Sequence, residues 1–494
     1  MTTTPVERGH PAGLRTLFFT EMWERFSYYG MRAMLILYMV DASQGLGLDD
    51  KTAAAVYGLY TAAVYLVCLP GGWIADRLIG AQRAILWGGV LIASGHFTLA
   101  FPGRTPFFLG LLLIVFGTGL LKPNISSAVG ELYGKGDPRR DAGFTFFYMG
   151  INIGAFLGPL VCSTLGESER FGWHYGFAAA GVGMVVGLWY YLRTRARLGD
   201  AGLRPSLDGT RPEHADQIRS GWRNVGIGVG LITAGTAAVM TGLVTVDALA
   251  AAERTGILIA VIAIAYFTWM FTFAGLNADE KKRMVVIVIL FLACAMFWAG
   301  FEQTGSSLNL FAERYTDRMI GTFEIPAGWF QSINAFFVFT IAPMIAGLWV
   351  WLARHSLNPS TPAKFGIGLI LLGAGFVVMI GASNVVLRGE QALPTWLVMT
   401  YLLHTIGELA LSPVGLSATT KLAPQRYTGQ MMGVWFLGTA FGNLIAGLVA
   451  GGFDDASIEL FPAQYLQVAL FCAGAGLLML VFSKPVRRLM GDVE

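Results

Sequence analysis

The chain has 494 residues, of which 55% are hydrophobic and only 13% are charged, and its mean hydropathy is +0.59. So apolar a composition at this length excludes a soluble globular protein and indicates a polytopic membrane protein. The formal net charge of +3 comes without a clustered basic face, which argues against a nucleic-acid partner.

Fourteen apolar stretches follow one another along the chain, each about 20 residues long and therefore able to cross a bilayer as a helix. The first stretch has no small-residue cleavage pattern, so we expect it to stay in the mature protein. The predicted spans are residues 14–40, 53–78, 84–101, 106–130, 143–165, 174–192, 224–246, 255–275, 284–305, 326–353, 365–387, 395–420, 428–450 and 464–483.

The basic residues predict the orientation of these spans. Of the 34 Lys and Arg, 24 lie in the tails, in the loops that follow even-numbered spans or at the span ends beside them, seven lie on the opposite side, and three lie deep inside spans. Because Lys and Arg are enriched on the cytoplasmic side, we expect both termini to be cytoplasmic.

A polar linker at 193–223, rich in Arg, Pro, Gly and Asp, divides the spans. The two spans after it have no ionisable residue in their interiors, which suggests a peripheral helical hairpin. We therefore predict a six-helix bundle at 1–192, the linker, the hairpin at 224–275 and a second six-helix bundle at 276–494. Without the hairpin, six plus six helices are similar to the arrangement of the major facilitator superfamily.

The first span contains ionisable residues where lipid-facing helices have none. At about 100° per residue they fall within roughly 140° of one another on one helix face. Each charge at the bilayer centre costs about 2.5–3.5 kcal/mol even on the lowest scale, so this face cannot contact lipid. We expect it to line a water-filled cavity, as in a transporter. The residues of this face are Glu21, Glu24, Arg25, Tyr28, Tyr29 and Arg32.

Seven acidic or basic residues lie deep in the spans. An Arg stays protonated at any relevant pH, whereas a desolvated Glu can gain and lose a proton, so we expect the carboxylates to carry protons. The seven are Glu21, Glu24, Arg25, Arg32, Lys122, Glu302 and Glu408.

Three polar or aromatic pairs recur at helical i, i+4 spacing near these charges. Each pair places two side chains on one helix face, where a single pair could equally be an interhelical hydrogen bond that holds the bundle together. Three pairs beside the charged face of the first helix favour a binding site. They are Tyr148 with Asn152, Trp298 with Glu302, and Glu408 with Ser412.

No phosphate-binding loop, metal-ligand cluster or nucleophile triad is present in the sequence. The four cysteines lie singly in four different spans, a pattern typical of buried small residues rather than of a metal site. We therefore expect no metal, no cofactor and neither an enzyme nor an ATP-driven pump.

Several motifs together resemble those of the proton-coupled oligopeptide transporter family, over nearly the whole chain. The family pattern ExxERFxYYG is complete at residues 21–30, and FYxxINxG is complete at residues 147–154. The string GELALSP supplies the family's Glu408, Ser412 and Pro413, and the loop GGWIADRLIGAQR resembles the superfamily's loop signature. The extra hairpin resembles the bacterial branch. Further positions that line the peptide site in relatives match Tyr65, Lys122, Trp298, Asn334 and Trp435.

The resemblance implies a symporter that takes up di- and tripeptides with protons across a bacterial inner membrane by alternating access. Arg25, Arg32 and Lys122 would bind the peptide carboxylate, Glu408 its ammonium group, and Asn152 and Asn334 its backbone. The implied binding walls are Tyr28, Tyr29, Tyr65, Trp298 and Trp435. Tyr148 and Ser412 are also expected among the substrate-binding residues. The implied proton-coupling residues are Glu21, Glu24, Arg25 and Glu302.

The resemblance also implies two ion-pair gates, Arg32 with Glu302 on the outer side and Lys122 with Glu408 on the inner side. One departure concerns a His on the second helix of mammalian relatives. Its aligning position here is Gly58, preceded by Tyr57, so proton coupling cannot use that His.

Other functions remain open from the sequence. A carrier of another small solute, such as nitrate or a peptide-like compound, would keep the fold, but nitrate would not need Glu408 and Ser412. A drug exporter of the same superfamily would lack FYxxINxG, and a non-transporting sensor would not need the titratable carboxylates.

Overall fold

The computed structural model describes residues 9–134, 137, 139–203, 205–207, 211–453 and 455–491, with the backbone alone of residues 212, 213, 428, 429 and 455–457. These residues are mostly α-helical. The strands among them are β1, Met319–Ile320, and β2, Phe323–Glu324, which pair antiparallel in a short hairpin.

The helices follow one another along the chain with short connections. Their bounds are α1 Ala12–Val40, α2 Asp50–Leu66, α3 Cys68–Ile74, α4 Ala81–Leu99, α5 Arg104–Glu131, α6 Arg140–Gly166, α7 Trp173–Thr194, α8 Pro212–Met240, α9 Ala248–Thr272, α10 Ala278–Phe301, α11 Ser307–Tyr315, α12 Gln331–Arg354, α13 Thr361–Val386, α14 Pro394–Leu422, α15 Thr428–Ala450, α16 Phe461–Val481 and α17 Ser483–Met490.

Twelve helical segments in the described residues are long and apolar enough to cross a membrane. Two of them combine shorter pieces, since α2 continues through α3 to Ile79 and α10 continues through α11 to Tyr315. The remaining predicted spans, the first and the third, correspond to α1 and α4, which have 29 and 19 residues. Helices therefore occupy all fourteen predicted spans, and twelve of the helical segments in the described residues are long and apolar enough to cross a membrane.

Some predicted boundaries are wrong by a turn or more. Helix α8 begins at Pro212 rather than at residue 224, and α9 begins at Ala248 rather than at 255. Helix α8 begins with a polar stretch that a hydropathy window leaves out, and in α9 Glu253 and Arg254 separate the first apolar residues from the long apolar run. Proline at the first turn of α8 fits a helix start because that position needs no backbone N–H. Asp247 caps α9 by accepting hydrogen bonds from the N–H groups of Leu249 and Ala250.

The chain forms two compact units. The first contains the chain up to Met31 together with Val67–Val246. Its apolar core joins α1, α4, α5, α6 and α7, and members of this core include Leu17, Ile92, Leu121, Phe147 and Met184.

Close contact between α1 and α6 depends on glycines of the sequence motifs. A Cβ atom on Gly154 would lie 2.1 Å from the backbone oxygen of Met22, and one on Gly158 would lie 2.3 Å from that of Phe26. Small residues at helix crossings let the backbones approach in this way. The glycine of FYxxINxG is therefore a packing residue that brings α6 onto the charged helix.

The second unit contains Arg32–Leu66 together with the chain from Asp247 onward. Helix α2 packs there against α9 and α15 through small and aliphatic side chains, among them Ala55, Ala62, Ala252, Ile259 and Leu444. These units group the helices differently from the predicted segments 1–192, 193–223, 224–275 and 276–494, since α2 packs with later helices. The predicted segments stay a prediction.

Candidate functional site

In the first unit, Arg25 lies between two carboxylates of its own helix. Its Nε atom is 3.1 Å from Oε1 of Glu21, one turn earlier, and it donates a hydrogen bond to the carboxylate of the preceding Glu24. The guanidinium carbon is also 5.2 Å from the ring centre of Tyr28, at cation–π distance. Helical spacing thus builds a compact acid–base–acid cluster from one motif.

This cluster is shielded from solvent. Glu21, Glu24 and Arg25 are 2%, 0% and 3% exposed. The expectation that they line a water-filled cavity is therefore wrong for this conformation. Contact between opposite charges offsets part of the cost of this burial. Among the described residues, Oε2 of Glu21, Oε1 of Glu24 and Nη2 of Arg25 have no hydrogen-bond partner.

A second cation belongs to this charge set. Lys122 of α5 is half-buried and lies within electrostatic range of Glu21, Glu24 and Arg25. Two carboxylates and two cations balance one another. Protonation of either Glu would leave the set with a net positive charge.

The predicted pair on α6 is arranged along the helix. The Asn152 amide donates to the backbone oxygen of Tyr148 at 2.9 Å, and Asn152 is 7% exposed. The Tyr148 side chain is 44% exposed. The Asn152 amide nitrogen thus bonds the helix backbone, and its amide oxygen can accept a further hydrogen bond.

In the second unit, Glu302 lies at a break in a helix. Helix α10 ends at Phe301, residues Glu302–Gly305 form one 3₁₀ turn, and α11 begins at Ser307. Oε2 of Glu302 is 3.1 Å from Nη2 of Arg32, and both residues are buried. A 3₁₀ interruption within a spanning helix often marks a hinge or an ion site. Here it holds the acid of the predicted outer gate against Arg32.

Tyr57 lies beside this ion pair, whereas Gly58 faces elsewhere. A Cβ on Gly305 would meet the Tyr57 hydroxyl and would also lie 3.3 Å from Nε of Arg32. Gly58 packs on Gly447 of α15, where a Cβ would lie 3.0 Å from the Gly447 Cα. A His cannot fit at Gly58 without separating α2 from α15. Tyr57 is the aromatic residue of α2 that approaches the gate.

Glu408 is held by an amide from another helix. The Asn334 amide nitrogen on α12 donates to Oε2 of Glu408 at 3.0 Å and is also 3.0 Å from the hydroxyl oxygen of Thr405. Glu408 and Ser412 are both half-buried. Asn334 therefore fixes the orientation of the carboxylate, while the second carboxylate oxygen can bind a donor such as an ammonium group.

The predicted aromatic walls differ in their surroundings. Tyr65 is half-buried and lies 6.5 Å from the ring of Phe436. Trp435 is 6% exposed and makes an edge contact with Phe365 at 6.4 Å. Trp298 contacts Phe301 edge-on at 5.2 Å, one turn from Glu302, and Tyr29 is half-buried next to Tyr28. Trp435 thus packs inside its unit.

Sequence reasoning missed an ion pair that joins two distant helices. Arg314 of α11 contacts Asp50 at the start of α2 with both terminal nitrogens, at 2.7 and 2.9 Å. This fork is the strongest geometry for an Arg–carboxylate pair. An acid in the first turn of α2 was visible in the sequence, but nothing there could indicate a partner 264 positions away.

The family comparison agrees with these motifs. A family model described as the POT family matches residues 82–466. The chain belongs to the POT family.

Relatives and a solved structure of this family cover almost the whole chain. The peptide transporter YePEPT of Yersinia enterocolitica is 41% identical, with 100% of this chain and 98% of that protein aligned. A di-/tripeptide transporter of Lactococcus lactis subsp. cremoris is 38% identical, with 98% of each chain aligned. The crystal structure of a peptide transporter POT in complex with sulfate superposes with a TM-score of 0.88 at 41% identity, covering 98% of this chain and 96% of the other.

Membership of the POT family confirms both the predicted family and the helical membrane-transporter fold of the major facilitator type. The predicted inner gate is not tested by family membership. Lys122 belongs to the first unit and Glu408 to the second. Their pairing, and the role of each site residue, stay predictions.

Proposed function

We propose that this POT-family protein is a proton-coupled symporter that takes up di- and tripeptides across a bacterial inner membrane by alternating access, with both termini in the cytoplasm. The observation that carries this proposal is the buried cluster of Glu21, Glu24 and Arg25, because paired carboxylates around a fixed cation form a proton-responsive group away from water. The peptide transporters among its relatives support the substrate class.

The two ends of a peptide define what the site must bind. Arg25, Arg32 and Lys122 supply positive charge for the carboxylate, whereas Glu408, oriented by Asn334, supplies the acceptor for the ammonium group. Because charged residues bind only the two ends of the peptide, the side chains of the peptide need no charged partner. Peptides of many sequences are therefore accepted.

Proton coupling acts through the carboxylates. Glu21 and Glu24 take up and release the proton next to Arg25, and Glu302 holds the outer gate through Arg32. Protonation of Glu302 removes one charge of that pair and so releases the gate. The protein needs no cofactor and catalyses no covalent reaction, and its surroundings are the lipids of the bilayer.

Uptake by the purified protein in liposomes tests this proposal. With an inwardly directed proton gradient, labelled dialanine should accumulate above its external concentration, and collapse of the gradient with an ionophore should abolish accumulation. Unlabelled dipeptides and tripeptides should compete, while free amino acids should not.

Nitrate provides the contrasting substrate. Accumulation of nitrate but not of dialanine under the same gradient would favour a small-anion carrier and contradict the proposal. Binding of dialanine without any uptake would instead favour a sensor.

A further inference from the structure

A cavity of about 630 Å³ lies in the second unit, apart from the charged clusters described above. It is formed where the connection from α12 to α13, the start of α13, the end of α14 and helix α17 meet. Its volume falls within the roughly 300–1,000 Å³ of ordinary ligand pockets. In the orientation proposed above, this end of the helices is cytoplasmic.

The lining of this cavity suits an anion. Three different helices each contribute one cation, namely Lys364 of α13, Lys421 of α14 and Arg487 of α17. Hydroxyl groups of Ser360 and Ser417 lie among them, and none of the described residues that line the cavity is acidic. Convergent Lys, Arg and hydroxyl donors are the groups that bind phosphate oxygens.

The start of α13 adds to the positive potential of this cavity. Ser360 is the N-cap residue, and its side chain makes no capping hydrogen bond. The first backbone N–H groups of a helix carry a partial positive charge and bind anions readily.

The cavity and the predicted peptide site use opposite faces of α14. Taking Glu408 as 0° and about 100° per residue, Ser412 lies at roughly 40°, whereas Pro413, Ser417 and Lys421 lie at roughly 140°, 180° and 220°. An occupant of the cavity therefore does not contact Glu408.

Packing against neighbouring residues fixes the positions of two of the three cations, Lys364 and Arg487. The ammonium nitrogen of Lys364 is 4.8 Å from the ring centre of Trp349 on α12. Helix α17 is anchored by Val486 and Met490, which are 6% and 2% exposed, and Arg487 extends from the turn between them. Lys484 and Arg488 belong to the same helix but do not line the cavity.

We propose that this cavity binds a phosphate group, supplied either by the headgroup of an anionic phospholipid of the cytoplasmic leaflet or by a soluble phosphate. Basic pockets between spanning helices on the cytoplasmic side commonly recognise such headgroups. The bound group bridges α13, α14 and α17 and stabilises their packing.

Binding to the purified full-length protein in neutral detergent tests the proposal. The probes are dihexanoyl phosphatidylglycerol, inorganic phosphate and, as the zwitterionic comparison, dihexanoyl phosphatidylcholine. A ligand that binds the folded state raises the midpoint of thermal unfolding, and a titration of this shift gives the Kd. We expect saturable shifts with at least one anion and none with phosphatidylcholine.

A matched pair of variants separates the cavity from general charge attraction. Lys421→Gln with Arg487→Gln removes two lining cations, both on exposed residues. Lys484→Gln with Arg488→Gln removes the same charge from α17 outside the cavity. At roughly fivefold per charge, the first variant should bind about 25-fold more weakly and the second should bind like the wild type.

Each outcome either identifies the source of the phosphate group or contradicts the proposed site. A shift with phosphatidylglycerol alone identifies a lipid headgroup, and an equal shift with inorganic phosphate identifies a soluble phosphate. Equal weakening in both double variants, equal binding of phosphatidylcholine, or no saturable shift with any anion overturns the proposal. If the double variant does not fold, the single variants Lys421→Gln and Arg487→Gln provide the same comparison. Dialanine transport is measured in a separate experiment. If the wild type does not take up dialanine, the proposed function is contradicted, but the test of anion binding to the cavity is unaffected.

Discussion

Arg25 shows how much a single charged residue in a spanning helix indicates about its surroundings. The position of Arg25 within an apolar run already required a buried partner, and the i−4 position supplied Glu21. The sequence could not indicate whether water or protein surrounds the cluster, because burial depends on how α5 and α6 pack against α1.

At the residue scale, we predict that Glu21→Gln abolishes gradient-driven accumulation of dialanine but retains peptide counterflow. Counterflow needs binding and alternating access but no net proton movement, whereas accumulation needs a group that titrates. Both are measured in liposomes. Glu169→Gln, on an exposed residue outside the spans, is the matched control and should behave like the wild type. Full accumulation by Glu21→Gln would remove this residue from proton coupling.

Glu408 leads to a prediction about the substrate. If its carboxylate binds the ammonium group, N-acetylated dipeptides lose that contact and leave a charge unpaired, at a cost of about 1–3 kcal/mol. They should therefore compete roughly tenfold or more weakly than free dipeptides. Glu408→Gln should weaken binding of free dipeptides and narrow this gap. Equal competition by both peptide forms in the wild type would contradict the assignment.

The forked pair of Asp50 and Arg314 should contribute measurably to the free energy of unfolding. A double-mutant cycle with Asp50→Asn and Arg314→Gln should give a coupling free energy of about 1.5–3 kcal/mol, because both nitrogens donate to a partly buried carboxylate. The exposed pair of Asp279 and Lys282 is the control and should give no measurable coupling, because solvent screens its charges. Thermal unfolding in detergent provides the free energies, and indistinguishable couplings would argue against a structural role for the fork.

At the scale of the helices, motifs and packing coincide. The glycines of ExxERFxYYG and FYxxINxG, Gly30 and Gly154, lie at the crossing of α1 and α6. The sequence shows the motif letters but not which helices meet. A shift of one residue likewise changes which side chain faces a site. Gly58 is the position that we expect to align with the His of mammalian relatives, yet Tyr57 is the residue that approaches Arg32, since neighbours on a helix point about 100° apart.

Substitution of one of these glycines tests the crossing. Gly154→Ala should lower the free energy of unfolding by about 1–3 kcal/mol, because its Cβ would overlap the backbone oxygen of Met22. Gly226→Ala in α8 is the matched control, since no heavy atom of the described residues lies within 4 Å of a Cβ there. Thermal unfolding of both variants in the same detergent measures the difference. Equal stability of the two variants would show that α1 and α6 are less tightly packed than described.

At the scale of the whole molecule, the positions of the helices were predictable and their grouping was not. The fourteen apolar stretches of the sequence all lie in helices, because every backbone polar group inside a bilayer must be paired within its own segment, and twelve of the helical segments in the described residues are long and apolar enough to cross a membrane. The packing of α2 with α9 and α15 depends on small residues such as Ala55 and Ala252, which have no distinguishing pattern in the sequence. Helix breaks such as Glu302–Gly305 were missed for a similar reason, since a 3₁₀ turn leaves hydropathy unchanged.

Proton symport of a zwitterion has an electrical consequence for the whole transporter. A peptide with no net charge that moves with one proton carries a charge of +1 inward, so an inside-negative potential contributes about 2.3 kcal/mol per 100 mV. This corresponds to a roughly 50-fold greater limiting accumulation of dialanine. A potassium diffusion potential set with valinomycin in liposomes, at constant pH gradient, measures it. Counterflow by Glu21→Gln should not respond to the same potential, since it moves no net charge. If accumulation by the wild type does not depend on the membrane potential, the charge of the proton must be compensated. One-proton symport of neutral peptides would then be excluded.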